Sequence, residues 1–461
     1  MARGARPGCP GTGRGRRGTR PVVTAPAFRH DRPGTPEEAW SRSLADRDVP
    51  PLRLPATARR LLVLGAHPDD EALGASGLMR SASLAGWEVG VLCATSGEGS
   101  HPDSVTLSPA GLATVRRLEL SASVAVAAPA ATTACLGLPD GDVASHVDEL
   151  VDHVVAAIGT QGSEVVLCAP WRSDGHPDHE AVGRAAAIAA GRTDAHLLEY
   201  PIWLWHWGHD ADLPWDDVRR LPLDEDARAT KRAAIAAHAT QIAPISPAPG
   251  DEVLLTAEVL AHFDRADELF VETTGRVPDD ALERVHRDDP DPWEVDSFYE
   301  RRKRAVTLAA LPRESYGRAL EVGCSVGALA VDLATRSERL LAVDASEAAV
   351  AAARHRVAGL RDVEVRRIDV RTEWPDGAFD LVSISEVGYF LSPRALGELV
   401  ERSLASLTRD GHLLLCHWRH QPVGWPLAGP AVHAAFLATG APVLVAHDEP
   451  DFLLHVLGRP A

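Results

Sequence analysis

No two cysteines in this chain stand at the C-x-x-C spacing; the six, Cys9, Cys93, Cys135, Cys168, Cys324 and Cys416, are scattered over 461 residues. That spread argues against a disulfide framework or a thiolate zinc site and fits a reducing, cytoplasmic compartment. Several sit in apolar runs such as VLCA, where cysteine behaves as a small buried hydrophobe. Lysine is nearly missing: of 47 Lys and Arg residues only Lys231 and Lys303 are lysines. With alanine so abundant, this reads as the codon bias of a GC-rich genome, and the arginines as a class carry no functional signal. No apolar stretch is both long enough to span a membrane and free of Gly, Pro and charge. The formal net charge of −18 argues against nonspecific binding to nucleic acid or anionic lipid.

What is present is a soluble globular composition, 45% hydrophobic and 24% charged, in a chain too long for one ordinary core. Residues 1–55 have no hydrophobic period. Their start, RGARPGCPGTGRGRRGTRP, is rich in Gly, Arg and Pro, so a disordered tail and lead-in is expected. From Arg59 the pattern changes. RLLVLGA (60–66), EVGVLCATSG (88–97) and SEVVLCAPW (163–171) predict buried parallel strands, and LATVRRLELSASVAVAA (112–128) predicts a helix between them. A second series, RALEVG, ERLLAVD, VEVRRIDV, FDLVSISEV and GHLLLCHW, begins near Arg318. The expected division is an α/β domain over 56–275, an acidic, proline-containing linker over 276–296 and a second α/β domain over 297–461.

Ala66-His67-Pro68-Asp69-Asp70-Glu71 directly follows the first strand run. Gly175-His176-Pro177-Asp178-His179-Glu180 follows CAPW and opens the helical run EAVGRAAAIAA. Both motifs then lie at carboxyl ends of strands, where open α/β sheets place their ligands. His67, Asp70 and His179 offer two imidazoles and a carboxylate, and three protein ligands with an open fourth position is the pattern of a catalytic zinc. Such an ion acidifies a bound water toward neutrality. Asp69 and His176 are left over beside the ligands, one suited to a general base and the other to oxyanion stabilisation or protonation of a leaving amine. His-Pro-Asp is also a turn former. The chain carries its own control, because His101-Pro102-Asp103 follows no clear strand and reads as a plain loop. Glu71 is expected to brace the site. Trp203, Trp205 and Trp207, alternating in PIWLWHWGHD, fit a sugar-stacking wall or one strand face equally well.

These motifs resemble the PIG-L (LmbE-like) deacetylases over about 56–275, whose hallmarks are AHPDDE and a later HPDH. The resemblance implies zinc on His67, Asp70 and His179, Asp69 as base and His176 at the oxyanion. It further implies a sugar contact at Arg116 in an R-x-x-E helix with Glu119, an L-P-D-G turn bearing Asp140, and a helix running from Lys231 through His238 to Gln241. The family removes acetyl from N-acetylglucosamine-type sugars.

In the second half Glu321, Gly323 and Gly327, in EVGCSVG, follow a strand run and precede a helix; the glycines permit a tight turn and close approach of backbone to a ligand. Asp344 ends the next strand run, where an acid suits a ribose diol. Three details favour S-adenosylmethionine (SAM) over a nicotinamide. Ser325 replaces the middle glycine, Asp369 ends the third run in place for an adenine amine, and WPDGAFDLV leads into the fourth strand. This resembles class I SAM-dependent methyltransferases, and more narrowly the nodulation protein S-like N-methyltransferases. The likeness rests on Asp291-Pro292-Trp293, Tyr299-Glu300, Lys303, TLAALPR (307–313), LEVGCSVG (320–327) and Ser385-Glu386 with Tyr389. In that group the acceptor is the free amine of a partly deacetylated chitooligosaccharide. The resemblance implies SAM at Gly323, Gly327, Asp344 and Asp369, while Glu386, Tyr389 and Trp293 are candidates for the acceptor side. Trp418, before a return loop, fits that pocket or the core.

The expected architecture is two Rossmann-like three-layer α/β domains in tandem behind the tail, each with a mostly parallel sheet. The expected function is deacetylation of an amino sugar or glycoconjugate and methylation of the amine so exposed, with no nucleic-acid or membrane partner. Two uncoupled activities, with the methyl going to an unrelated acceptor, or a binding protein with one inactive half, are the alternatives.

Overall fold

The computed structural model describes residues 33–272 and 277–460, so most of the expected tail lies outside the described residues. The first sheet is built from β1 (Arg60–Gly65), β2 (Glu88–Cys93), β3 (Thr132–Cys135), β4 (Val165–Pro170), β5 (His196–Tyr200), β6 (Val218–Pro222) and β7 (Asp267–Val271), in the order β3-β2-β1-β4-β5-β7-β6. The first five strands are parallel and β7 runs antiparallel to both its neighbours. The second sheet is built from β8 (Tyr316–Val322), β9 (Ser337–Asp344), β10 (Val363–Arg367), β11 (Phe379–Ser385), β12 (Leu407–Trp418), β13 (Val443–Asp448) and β14 (Phe452–Gly458). Its order is β10-β9-β8-β11-β12-β14-β13, again five parallel strands and an antiparallel pair. Each strand run picked out above forms a strand, because helices on both faces bury nearly continuous Val/Leu segments: β4 is buried throughout, and β1 at all but Arg60. The run 112–128 lies almost wholly within a helix, Pro109–Ala127, capped by Ser108.

Three stretches depart from the sequence reading. A helix, Glu37–Ala45, forms inside the expected disordered lead-in. Trp40 is 1% exposed, edge-on to Trp205 with its Nε1 donating to the Trp205 carbonyl at 2.7 Å, and Glu37 is clamped by Arg265 and His262. Despite partial burial, those partners hold the Glu37 carboxyl down at about 2. One aromatic and one ion pair suffice to dock a nine-residue helix, and neither makes a hydrophobic period. The tryptophan run forms a short helix, Leu204–Trp207, with Trp203 and Trp205 buried, so it is neither a strand face nor an open wall. The linker stretch holds a helix, Ala281–Asp288, packed on the helix Glu347–Val357 of the second half. Among the described residues no helix is long and apolar enough to cross a membrane.

Candidate active sites

Strand order reverses between β1 and β4, and the two His-Pro-Asp motifs sit at the carboxyl ends of those strands. After β1 the chain turns at Asp69, held at φ 140°, and enters the helix Asp70–Leu84. Such a backbone costs a non-glycine residue about 1–3 kcal/mol and points to a functional constraint. After β4, His176 caps the helix Pro177–Thr193 through its Nδ1, which accepts from the Asp178 amide at 3.2 Å, and Pro177 takes the first-turn position that needs no N–H.

His67, Asp70 and His179 each offer a ligand atom within 4.8 Å of the others. Asp70 Oδ2 accepts from the amides of Ala66 (2.6 Å) and His67 (3.0 Å), leaving Oδ1 3.3 Å from His179 Nε2. His179 is wholly buried; its Nδ1 lies 2.8 Å from Asp174 Oδ2, while Nε2 has no hydrogen-bond partner. An imidazole oriented through Nδ1 by one carboxylate, with its buried Nε2 faced at 3.3 Å by a second, Asp70, is the arrangement of a metal ligand. Burial would lower the His179 imidazole, but Asp70 and Asp174 raise it to about 9; burial would raise Asp70, but His179 and His67 bring it to about 2. The pocket therefore favours a cation. His67, His176 and Asp178 make a second close group, but Asp178 already accepts from the amides of Gly141 and Val143. The donor set thus fits zinc on the first group.

Asp69 is buried, and burial together with the Asp70 charge raises its carboxyl to about 6. Arg116 Nη2 lies 3.8 Å away; the guanidinium is 1% exposed and donates to the Gly97 carbonyl, so it faces Asp69 from inside the protein. The His176 Nδ1 acceptor role places the ring proton on Nε2, and burial with two neighbouring imidazoles lowers this histidine well below its usual value. A neutral donor results. Asp140 Oδ1 lies 3.1 Å from His67 Nε2, and its Oδ2 accepts from the Gly99 amide at 2.7 Å. Glu71 accepts from the Asp69 amide (3.1 Å) and Ser123 Oγ (2.9 Å) and meets His238 Nε2 (3.0 Å), while Gln241 donates to the Pro68 carbonyl. His101 of the third His-Pro-Asp instead lies 2.9 Å from the Glu252 carbonyl, in a loop. Asp174 and Asp178 were missed from sequence; the signal lay in DGHPDHE, where Asp174 precedes the ligand by five residues.

In the second sheet the matching reversal lies between β8 and β11. Gly323 and Gly327 have φ of 74° and 80°, and a Cβ on Gly323 would lie 2.0 Å from Val387 Cγ2. Ser325 between them is also left-handed, φ 48°, which explains why glycine is usual there. Asp344 accepts from the amides of Ser325 and Ser346, both at 2.9 Å. Glu321 is 2% exposed with Oε2 unpartnered, and burial beside Asp344 raises its carboxyl well above the usual range. An open glycine turn over an orphaned buried carboxyl fits a nucleoside-type cofactor such as SAM. Asp369 is engaged by the Arg371 guanidinium at 2.8 Å. Glu386, left-handed at φ 58°, accepts from Lys303 Nζ (2.8 Å), the Trp418 amide (3.0 Å) and the Tyr389 hydroxyl. The carboxylate is therefore fully engaged, and Tyr389 is 4% exposed. Trp293 and Trp418 stand open, 41% and 38% exposed, so Trp418 is not core.

Residues 62–190 match the family model of PIG-L, GlcNAc-PI de-N-acetylase, and residues 277–422 that of NodS, nodulation protein S. Nodulation protein S of Sinorhizobium fredii (strain NBRC 101917 / NGR234) is 31% identical over 127 residues, 27% of this chain and 59% of its own. The 1D-myo-inositol 2-acetamido-2-deoxy-alpha-D-glucopyranoside deacetylase of Rhodococcus erythropolis is 28% identical over 287 residues, 50% of this chain and 97% of its own. Among solved structures, N-methyltransferase NodS from Bradyrhizobium japonicum WM9 in complex with S-adenosyl-l-homocysteine is 24% identical, covering 39% of this chain and 97% of that one, with a TM-score of 0.36. The chain spans 59% and 53% of the length of the first two nodulation protein S relatives it matches. It joins a first half that resembles the PIG-L deacetylases to a second half that resembles the nodulation protein S-like methyltransferases.

Proposed function

We propose that the chain is a bifunctional enzyme that hydrolyses the N-acetyl group of an amino sugar or its conjugate and then methylates the amine it exposes. The observation that carries the first activity is the His67–Asp70–His179 triad beside a buried carboxylate raised to about 6. Zinc held there would polarise the amide carbonyl and acidify water. Asp69, ionised near neutrality, takes the proton of the attacking water and delivers it to the leaving nitrogen. His176, neutral and donating from Nε2, stabilises the oxyanion. Arg116 keeps Asp69 aimed, and Asp140, beside His67, is the candidate contact for sugar hydroxyls.

The second activity rests on the glycine turn with Asp344 and on the family match. SAM would supply an electrophilic methyl group. Glu386, fixed by Lys303 and Tyr389, would orient the acceptor nitrogen, which takes the methyl group as the free amine after its ammonium proton has gone to solvent. With its oxygens already engaged, it serves as an anchor more readily than as a base. The relatives' printed names support an amino-sugar substrate for the first half, and the link between the reactions rests on chemistry: deacetylation makes the amine that N-methylation consumes. Joining both sites in one chain raises the local concentration of the intermediate.

The test supplies purified chain with zinc, SAM and either an N-acetylated sugar or the same sugar as free amine. Asp69→Asn should abolish methylation of the first and leave methylation of the second. Methylation of the acetylated sugar by Asp69→Asn would refute the order.

A further inference from the structure

We propose that the cleft between the two halves is the binding site for the amine-bearing sugar, with Asp152 of the first half as a partner for its ammonium; this rests on the methyl-transfer reading above. The cleft is a cavity of about 700 Å³, within the size range of small-ligand sites. One wall is the first-half helix Val147–Ile158, which presents Asp148, Val151 and Asp152. The linker segment, with Trp293, forms a second wall, and Tyr389, Trp418 and Trp425 of the second half form the third.

Three observations point to the occupant. Trp293 and Trp418 are large aromatics, both partly open to solvent, that line the same cavity. Aromatic faces stack on sugar rings and attract cations. The titratable lining holds four carboxylates, on Asp148, Asp152, Asp288 and Asp289, against two guanidiniums. Some of these are paired: Arg192 binds Asp279 and the Gly424 carbonyl, Arg284 binds Asp148 and Asp280, and Asp288 lies 3.4 Å from Arg287, which leaves Asp152 and Asp289 without an ion-pair partner in the lining. Asp152 has the nearby Arg192 charge but no hydrogen bond or ion pair among the described residues, and desolvation raises its carboxyl. A cationic, ring-bearing ligand suits this lining, whereas an anion would be repelled.

The cleft also abuts the methyl-donor side. Tyr389 is on the turn whose Val387 covers Gly323, and His286 lies edge-on to Trp293 and within electrostatic reach of Asp344. Its geometry is fixed by Arg192, 7% exposed, which ties the linker's Asp279 to Gly424 and lies over the Trp425 ring at 4.2 Å. His179 lies in the first turn of the helix Pro177–Thr193 and Arg192 in its last, so roughly 20 Å of one helix, at 1.5 Å per residue, separates metal site from cleft. The helix Pro177–Thr193 thus contributes to both places, to the metal site through His179 and to the cleft wall through Arg192.

The experiment is calorimetric titration of the full chain, saturated with S-adenosylhomocysteine, with a glucosamine oligomer. Wild type should bind it, Asp152→Asn should bind about tenfold more weakly because the isosteric change removes only charge, and Trp418→Ala should also weaken binding. Unchanged S-adenosylhomocysteine affinity verifies that each variant folds. Equal binding by wild type and both variants, or no binding at all, overturns the inference. Binding that depends on Asp152 in a chain that methylates no amine would support the cleft while refuting the methyl-transfer reading.

Discussion

The first sheet runs β3-β2-β1-β4-β5-β7-β6 and the second, offset by seven, β10-β9-β8-β11-β12-β14-β13, so each strand of one half has a counterpart in the other. At the same topological point the halves hold different chemistry. The turn after β1 is filled by side chains, with His67, Asp69 and Asp70 crowding into six residues. The turn after β8 is emptied of them, with Gly323 and Gly327 left-handed around Ser325. Even the supports correspond: Thr95, after β2, donates from Oγ1 to the Ala66 carbonyl at 2.9 Å, and Asp344, ending β9, accepts from the Ser325 amide at 2.9 Å. A cation needs converging donor atoms, so the first turn spends its residues on ligands. A nucleoside needs backbone access and room, so the second spends them on glycine. Identical strand order thus fixes where a site lies, and the first turn's residues fix what it binds.

That contrast can be broken one half at a time. The largest effect is expected from His179→Ala or a chelator: metal content measured by mass spectrometry falls to background and deacetylation with it, while S-adenosylhomocysteine affinity is unchanged. Asp69→Asn should cut deacetylation about 10²–10⁴-fold with metal content retained. Because the base must be ionised and its carboxyl is raised to about 6, wild-type kcat/KM should fall as pH drops through that region, and a profile flat down to pH ~5 would remove Asp69 from the role. Asp174→Ala should weaken metal affinity about 10–100-fold without touching the ligands themselves, as competitive chelation would read. The smallest effect is Ser325→Gly. Relieving φ 48° and deleting a buried hydroxyl without a partner should stabilise the second half by about 1 kcal/mol in denaturant unfolding.

Much of this was legible in the chain because it is local. Apolar runs such as VVLCAP form buried strands wherever helices cover both faces, and AHPDDE and HPDH bring their ligands together because each follows a strand at the switch point. What was hidden depends on distant partners. Trp40 docks the lead-in helix only because Trp205 is there to receive it, and WLWHW turns helical as the amides of Ile202, Trp203 and Leu204 converge on Asp174. The engagement of Glu386 needs Lys303, 83 positions earlier in the chain. The Arg192–Asp279–Gly424 tie that closes the cleft has no local pattern at all.

The most direct test of the account is a time-resolved mass measurement on one reaction containing the full chain, zinc, SAM and an N-acetylglucosamine conjugate. The account predicts acetyl loss first, then methyl gain on the resulting amine, and no methylated species that still carries its acetyl group. Acetyl loss with no methyl gain on any amine produced would contradict it, leaving two sites in one chain with no shared substrate.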